Sequence, residues 1–320
     1  RGLAQHCWGL STRGARRSNL LENRGRLFLH TGPAIAPLIG LSARPECAAL
    51  MTKLLGVVGN PIAHSLSPLI HNGWLHDAGI DAAYEAFHVP DDQFSKTLKD
   101  LEKRDLFGLN VTLPHKGAAL AAAAEVSAAA RKIGAANTLS QTRNGKWRAD
   151  NTDAPGFLRS LGSVDSKTDR ALILGAGGSA RALVFALTNV GVPVTVLNRT
   201  VEKARSLANE SGDEKTVYGS IDQINDNIEN ATIVINTTSM GHSGEELALP
   251  DGMDRLFYDI SYGKIARPQL MHAEAQGWKT KDGLGMLVAQ AAYSFQIWFG
   301  VLPDFDTGLH RCRLALEAAS

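Results

Sequence analysis

Residues 171–180 read Ala-Leu-Ile-Leu-Gly-Ala-Gly-Gly-Ser-Ala: an apolar run, a glycine-rich turn, then a helical pattern extending to about Val190. A strand that feeds a helix through G-x-G-x-x-A restricts the fold more than any other feature of this chain. Its glycines let the backbone approach a pyrophosphate, whose charge rests on the free N–H groups of the helix N-terminus. Gly175, Ala176, Gly177, Gly178 and Ser179 are therefore candidate dinucleotide-binding residues. The next strand, 194–197, ends about 20 residues on, where an NAD site places Asp or Glu against the ribose 2′-hydroxyl. Asn198 and Arg199 stand there instead, followed by Thr200 and Lys203. Cations at this point suit a 2′-phosphate, so NADP is the expected cofactor, against the plainer reading of a solvated helix start.

Further strands read at 232–235, 256–260 and about 278–281, alternating with helices at 201–209 and 268–276. Such alternation predicts a doubly wound parallel sheet, and ligands bind outside the carboxyl ends of its strands. Upstream, strands at 54–58, 84–89 and 108–113 alternate with helices at 68–78 and 91–103. Pro114 then opens an Ala-rich helix through about Lys132. Asn144-Gly145 between 138–143 and 146–150 signals a hairpin. A long helix at 286–299 and another from about Gly308 complete the chain, with Cys312 read as a core residue. The expected fold class is α/β: an N-terminal α/β domain, a Rossmann-like domain and a cleft between them.

Thirty-three Lys+Arg against 32 Asp+Glu leave a net charge of +1, and hydrophobic residues make up 44%. These values predict a soluble globular protein rather than a disordered or collagenous one. No run approaches the ~18 apolar residues of a membrane span. Residues 1–50 hold seven Arg, no Lys and only Glu22 and Glu46, a net +5, so the remainder carries −4. Without a sustained period they read as a non-native or disordered extension before Met51; their Arg-rich, acid-poor composition makes a transit peptide the rival reading. No dense basic block marks a nucleic-acid arm. Three cysteines form no disulfide framework, in keeping with a reducing, cytoplasmic setting.

Polar clusters follow the N-terminal strands: His64-Ser65-Leu66-Ser67, Asn110-Val111-Thr112-Leu113-Pro114-His115-Lys116, Gly134-Ala135-Ala136-Asn137-Thr138 and Asn151-Thr152-Asp153. Together they offer donors and acceptors for a small polyhydroxylated acid, although Ser65 as a cap or Asn137 as a turn residue are simpler readings of each alone. Ketone reduction leaves charge on oxygen and needs a proton donor. Lys116 is the candidate, at a helix N-terminus that favours proton release, with Asp153 holding its ammonium. An ordinary salt bridge is the alternative. Histidines 64, 71, 76, 88 and 115 lack ligand spacing, and no metal is expected.

These clusters, in this order, resemble the shikimate dehydrogenases of the bacterial AroE type from Met51 to the C-terminus: GNPIAHSLSPLIHN, NVTLPHK, GAANT, DNTD, GAGGSARA, NRT, NTTSMG and DGLGMLVAQAA. The resemblance implies NADPH-dependent reduction of 3-dehydroshikimate to shikimate, in chorismate and aromatic amino-acid biosynthesis, with Lys116 and Asp153 as the acid/base pair. Ser65, Ser67 and Tyr262 would bind the carboxylate. Thr112, Asn137, Asp153 and Gln290 would hold the hydroxyls. Gly175, Gly177 and Gly178 would take the pyrophosphate, and Asn198, Arg199, Thr200 and Lys203 the 2′-phosphate. Met240 and Gly263 would lie near the nicotinamide, with Ala176, Ser179 and Gly283 also at the cofactor site. Residues 51–152 and 288–320 would form the substrate domain and 153–287 the NADP domain, in a monomer or homodimer without membrane or nucleic-acid partners. Departures are Ala154 where the family often has Gly, Ala266-Arg267 before Pro268, and His115 at a commonly aromatic position. A quinate/shikimate enzyme with relaxed cofactor use, or a catalytically silent NADP-binding paralogue, remain the alternatives.

Overall fold

Lys53–Gly59 (β1) is apolar on both faces and buried from Leu54 onward, the pattern of a central parallel strand. The computed structural model describes residues 53–244, 247–253 and 255–319, so the expectations for residues 1–50 lie outside the described residues. After β1 come α1 (Ser67–Asp77), β2 (Ala82–His88), α2 (Phe94–Glu102) and β3 (Leu106–Val111), with β2 and β3 parallel on either side of β1. The chain continues through α3 (Lys116–Ala122), β4 (Glu125–Val126), α4 (Ala128–Ile133), β5 (Thr138–Gln141) and β6 (Trp147–Asp150). The sheet order is β2-β1-β3-β5-β6-β4, and β5 runs antiparallel to both neighbours. Gly145 takes φ +69° in the hairpin between β5 and β6, as the Asn-Gly turn requires.

The expected single helix over 114–132 is two helices. Lys116 starts the first, after Pro114, and Ala123 ends it in an extended conformation. Glu125–Val126 then pairs along the edge of β6, and the Ser127 hydroxyl caps α4 by accepting from the Ala130 N–H at 3.2 Å. Alanine's helix propensity yields here to a strand pairing and a cap.

A helix that sequence reasoning did not place, α5 (Asp153–Leu161), leads into the second sheet. β7 (Ala171–Leu174), α6 (Gly178–Asn189), β8 (Val194–Asn198), α7 (Val201–Ser211), β9 (Val217–Ser220) and α8 (Ile224–Ile228) form one half. The other consists of β10 (Ile233–Asn236), α9 (Met240–Ser243), β11 (Leu256–Asp259), α10 (Arg267–Ala275) and β12 (Lys279–Lys281). All pairs are parallel, in the order β9-β8-β7-β10-β11-β12, which is the doubly wound arrangement with its switch point between β7 and β10.

Finally α11 (Leu284–Phe299) and α12 (Phe305–Ala318) pack on the first sheet. Val288, Phe295 and Cys312 share a core with Leu55, Ile70 and Trp74, as expected for Cys312. Trp298 donates its indole N–H to the Leu139 carbonyl at 3.0 Å. Its ring covers Gly108, where a Cβ would meet it at 2.5 Å.

Candidate active site

Lys116 opens α3 and Asp153 opens α5, and both side chains are buried, 8% and 7% exposed. The ammonium donates to Asp153 Oδ2 at 2.6 Å and to Ser179 Oγ at 3.3 Å. Burying two charges is costly unless each is paired and its remaining hydrogen-bonding capacity is met. The other carboxylate oxygen, Asp153 Oδ1, accepts from Asn137 Nδ2 at 2.9 Å. Asn151 Oδ1 accepts from the Asp153 N–H at 3.1 Å and so fixes the start of α5.

Asn137 reaches further, to Thr152 Oγ1 at 2.9 Å and Gln290 Oε1 at 3.2 Å, and its own oxygen accepts from the Thr152 N–H at 2.7 Å. Ser294 and Tyr84, which sequence reasoning did not single out, join Asn110 and Thr138 of the polar clusters to extend this network inward. Ser294 Oγ accepts from Asn110 Nδ2 at 2.9 Å and lies 2.8 Å from Thr138 Oγ1, and Asn110 Oδ1 accepts from the Tyr84 hydroxyl at 2.7 Å. One signal for Ser294 was available: it stands four residues after Gln290 in a mostly apolar helix, which puts both on one face.

The other expected substrate residues have these surroundings. Ser65 Oγ accepts from the Ser67 N–H at 3.3 Å, and Ser67 is buried beside Tyr84. Tyr262 follows β11 yet packs with the first sheet's core, its hydroxyl hydrogen-bonded to the Leu66 backbone. Burial pushes the Tyr262 phenol above its ordinary pKa, with the Leu66 contact opposing. Thr112 lies against Gly59, where a Cβ would meet its methyl at 2.5 Å. His115, at the commonly aromatic position, stacks on Phe94 with centroids 5.4 Å apart and hydrogen-bonds the Val89 carbonyl, which accounts for its acceptance there.

On the second sheet Gly175 ends β7 with φ +110°, and a Cβ there would stand 2.4 Å from Thr237 Oγ1 at the end of β10. Gly177 caps α6 without any side-chain hydrogen bond, and a Cβ on it would meet nothing within 4 Å. An uncapped helix N-terminus beneath open space is what a pyrophosphate requires. Asn198 turns its amide to the Thr200 carbonyl, while Arg199 and Lys203 are exposed with no ion-pair partner among the described residues. With no carboxylate at this strand end, the donor set fits a 2′-phosphate. Met240 opens α9 beside the second sheet's core, and Gly263 takes φ +63° against Leu316. Gly283 is imposed by packing: a Cβ on it would stand 1.9 Å from the Ile260 carbonyl.

Three family models match: the shikimate dehydrogenase substrate binding domain over residues 57–139, shikimate/quinate 5-dehydrogenase over 159–260, and the shikimate 5′-dehydrogenase C-terminal domain over 283–310. Shikimate dehydrogenase (NADP(+)) of Hyphomonas neptunium is 48% identical over 272 residues, 84% of this chain and all of the relative. Among solved structures, the Aquifex aeolicus shikimate dehydrogenase superposes with a TM-score of 0.75 at 33% identity, covering 82% of this chain and 98% of that one. The Thermus thermophilus shikimate 5-dehydrogenase, solved with NADP(H) and shikimate, gives 0.71 at 36% identity, covering 82% and 99%. At this identity and coverage, the chain belongs to the shikimate dehydrogenase family.

Proposed function

We infer that this chain is an NADP-dependent shikimate dehydrogenase that reversibly reduces 3-dehydroshikimate to shikimate, on the route to chorismate and the aromatic amino acids. The observation that carries the reading is the buried Lys116–Asp153 pair, 2.6 Å long, lying beside the helix that the glycine-rich turn opens. When bound, NADPH supplies a hydride to the carbonyl carbon. Lys116 donates a proton to the carbonyl oxygen as charge develops on it, and takes that proton back in the oxidative direction. Asp153 holds the ammonium, and Asn137 holds the carboxylate so that its second oxygen stays turned toward Lys116. One hydride and one proton convert the ketone to the alcohol.

In this reading Ser65, Ser67 and Tyr262 bind the substrate carboxylate, and Thr112, Asn137 and Gln290 its hydroxyls. Gly175 to Ser179 hold the pyrophosphate, Asn198, Arg199, Thr200 and Lys203 the 2′-phosphate, Met240 and Gly263 border the nicotinamide, and Gly283 also belongs to the cofactor site. Residues 51–152 and 288–320 act as substrate domain and 153–287 as NADP domain, an assignment that the two separate sheets support. The reading extends to a cytoplasmic monomer or homodimer without a nucleic-acid partner, which the near-neutral charge favours. Among the described residues no helix is long and apolar enough to cross a membrane.

The test is the rate of NADPH or NADH formation from shikimate and from quinate, each with NADP+ and with NAD+. Shikimate with NADP+ should be the fastest pair. Equal rates with quinate or NAD+ would identify a relaxed dehydrogenase, and no turnover with any pair a silent paralogue.

A further inference from the structure

Ser179 is the second residue of the cofactor helix, and its hydroxyl accepts a hydrogen bond from the lysine that opens α3 on the other sheet. The stem of the same lysine runs along the preceding residue: a Cβ on Gly178 would stand 3.2 Å from Lys116 Cδ and 3.6 Å from its Cβ. Thus both the stem and the head of Lys116 rest on α6. An ammonium has three N–H bonds that rotate together about the Cε–Nζ axis. Asp153 Oδ2 at 2.6 Å takes one, and because the three turn together it sets the torsion of the whole rotor. A second acceptor, Ser179 Oγ at 3.3 Å, deepens that torsional well and holds the head of Lys116 against α6, and so narrows the swing of the third N–H, the one left for a substrate oxygen.

We propose that Ser179 is a positioning residue for proton transfer, its hydroxyl aiming the Lys116 ammonium, so that the cofactor helix takes part in the proton step as well as in holding the dinucleotide. The proposal rests on the acid/base role given to Lys116. It assigns the Ser179 side chain a task different from phosphate binding, which needs only the backbone N–H groups of the turn.

A double-mutant cycle tests it, with kcat for shikimate oxidation and the Kd of NADPH measured on the full chain. Ser179→Ala should lower kcat by about threefold to tenfold, the worth of an ordinary hydrogen bond, since this one is long at 3.3 Å and Asp153 still holds the ammonium, and leave the NADPH Kd unchanged. Ser179→Thr, which keeps the hydroxyl, should restore kcat. In a Lys116→Ala background the Ser179→Ala change should cost nothing further, because the group it aims is gone. An unchanged kcat in Ser179→Ala, an equal loss in both backgrounds, or a loss confined to NADPH affinity would each overturn the proposal. Full activity in Lys116→Ala alone is a separate failure, which would remove the role of Lys116 itself.

Discussion

Gly156 of α5 lies directly against Gln290 of α11: a Cβ on the glycine would stand 2.8 Å from the Gln290 backbone nitrogen. Backbone cannot rotate aside as a side-chain tip can, so any side chain here forces the two helices apart. Gln290 is also the residue whose Oε1 accepts from Asn137, next to Asp153. Gly156→Ala should therefore cost about 1–3 kcal/mol of stability, as overpacking does, and raise the KM for shikimate more than that for NADP+. Urea melts and steady-state kinetics check this. Unchanged stability and KM would mean that the helices separate freely.

Lys116→Ala removes the proton donor while leaving Ser65, Ser67 and Tyr262 in place. The expected result is a kcat lower by about 10²–10⁴ with little change in the shikimate KM, the signature of an interaction made in the transition state. Substrate titration of the variant separates the two parameters. An unaltered turnover number would take Lys116 out of the chemistry.

Five of the second sheet's six strands were legible because their signals are local, whereas the edge strand β9 was not read. Residues 171–174 form the whole of β7, and the glycines that follow are where a strand-to-helix turn needs them. Asn144-Gly145 likewise specified its own hairpin. Helix α5 carries Pro155 and Gly156, the two poorest helix formers, within its first four residues, which weakens its local signal. Pro155 is the third residue of the helix, in the turn whose N–H groups have no intrahelical acceptor, and Gly156 answers to Gln290, 134 positions away. The same distance problem concealed the pairing of Asn110 with Ser294, which meet across 184 positions. Residue types foretold the Lys116–Asp153 pair, but only the packing of α11 shows how Asn137, Thr152 and Gln290 surround it.

Arg199 and Lys203 stand exposed past the end of β8, where a carboxylate would repel a 2′-phosphate. A charge-assisted hydrogen bond to phosphate is worth about 1.5–3 kcal/mol. Arg199→Ala should accordingly weaken NADPH by about tenfold to a hundredfold and leave NADH nearly untouched. Since the site is open to solvent, the NADPH Kd of the natural sequence should also rise with salt more steeply than that of NADH. Fluorescence titration of both cofactors at two salt concentrations measures each effect. Equal losses for the two dinucleotides would remove the 2′-phosphate assignment.

His71 is fully enclosed, stacked on Tyr84 with centroids 4.2 Å apart, and its Nε2 has no hydrogen-bond partner among the described residues. Burial, opposed in part by Asn110, pulls its pKa from 6.5 down to about 3. The folded protein thus holds His71 neutral at pH values where the unfolded chain protonates it. This contribution to stability is fully present above pH 6.5 and is lost as pH falls toward about 3, at about 1.4 kcal/mol per unit. His71→Phe keeps a ring against Tyr84 and removes the titrating group. Between pH 7 and pH 5 the variant should lose about 2 kcal/mol less stability than the natural sequence, read from urea melts at both pH values. Identical pH slopes would show that the folded protein admits the proton, and that the pocket of Trp74, Phe295 and Trp298 opens around a charged imidazole.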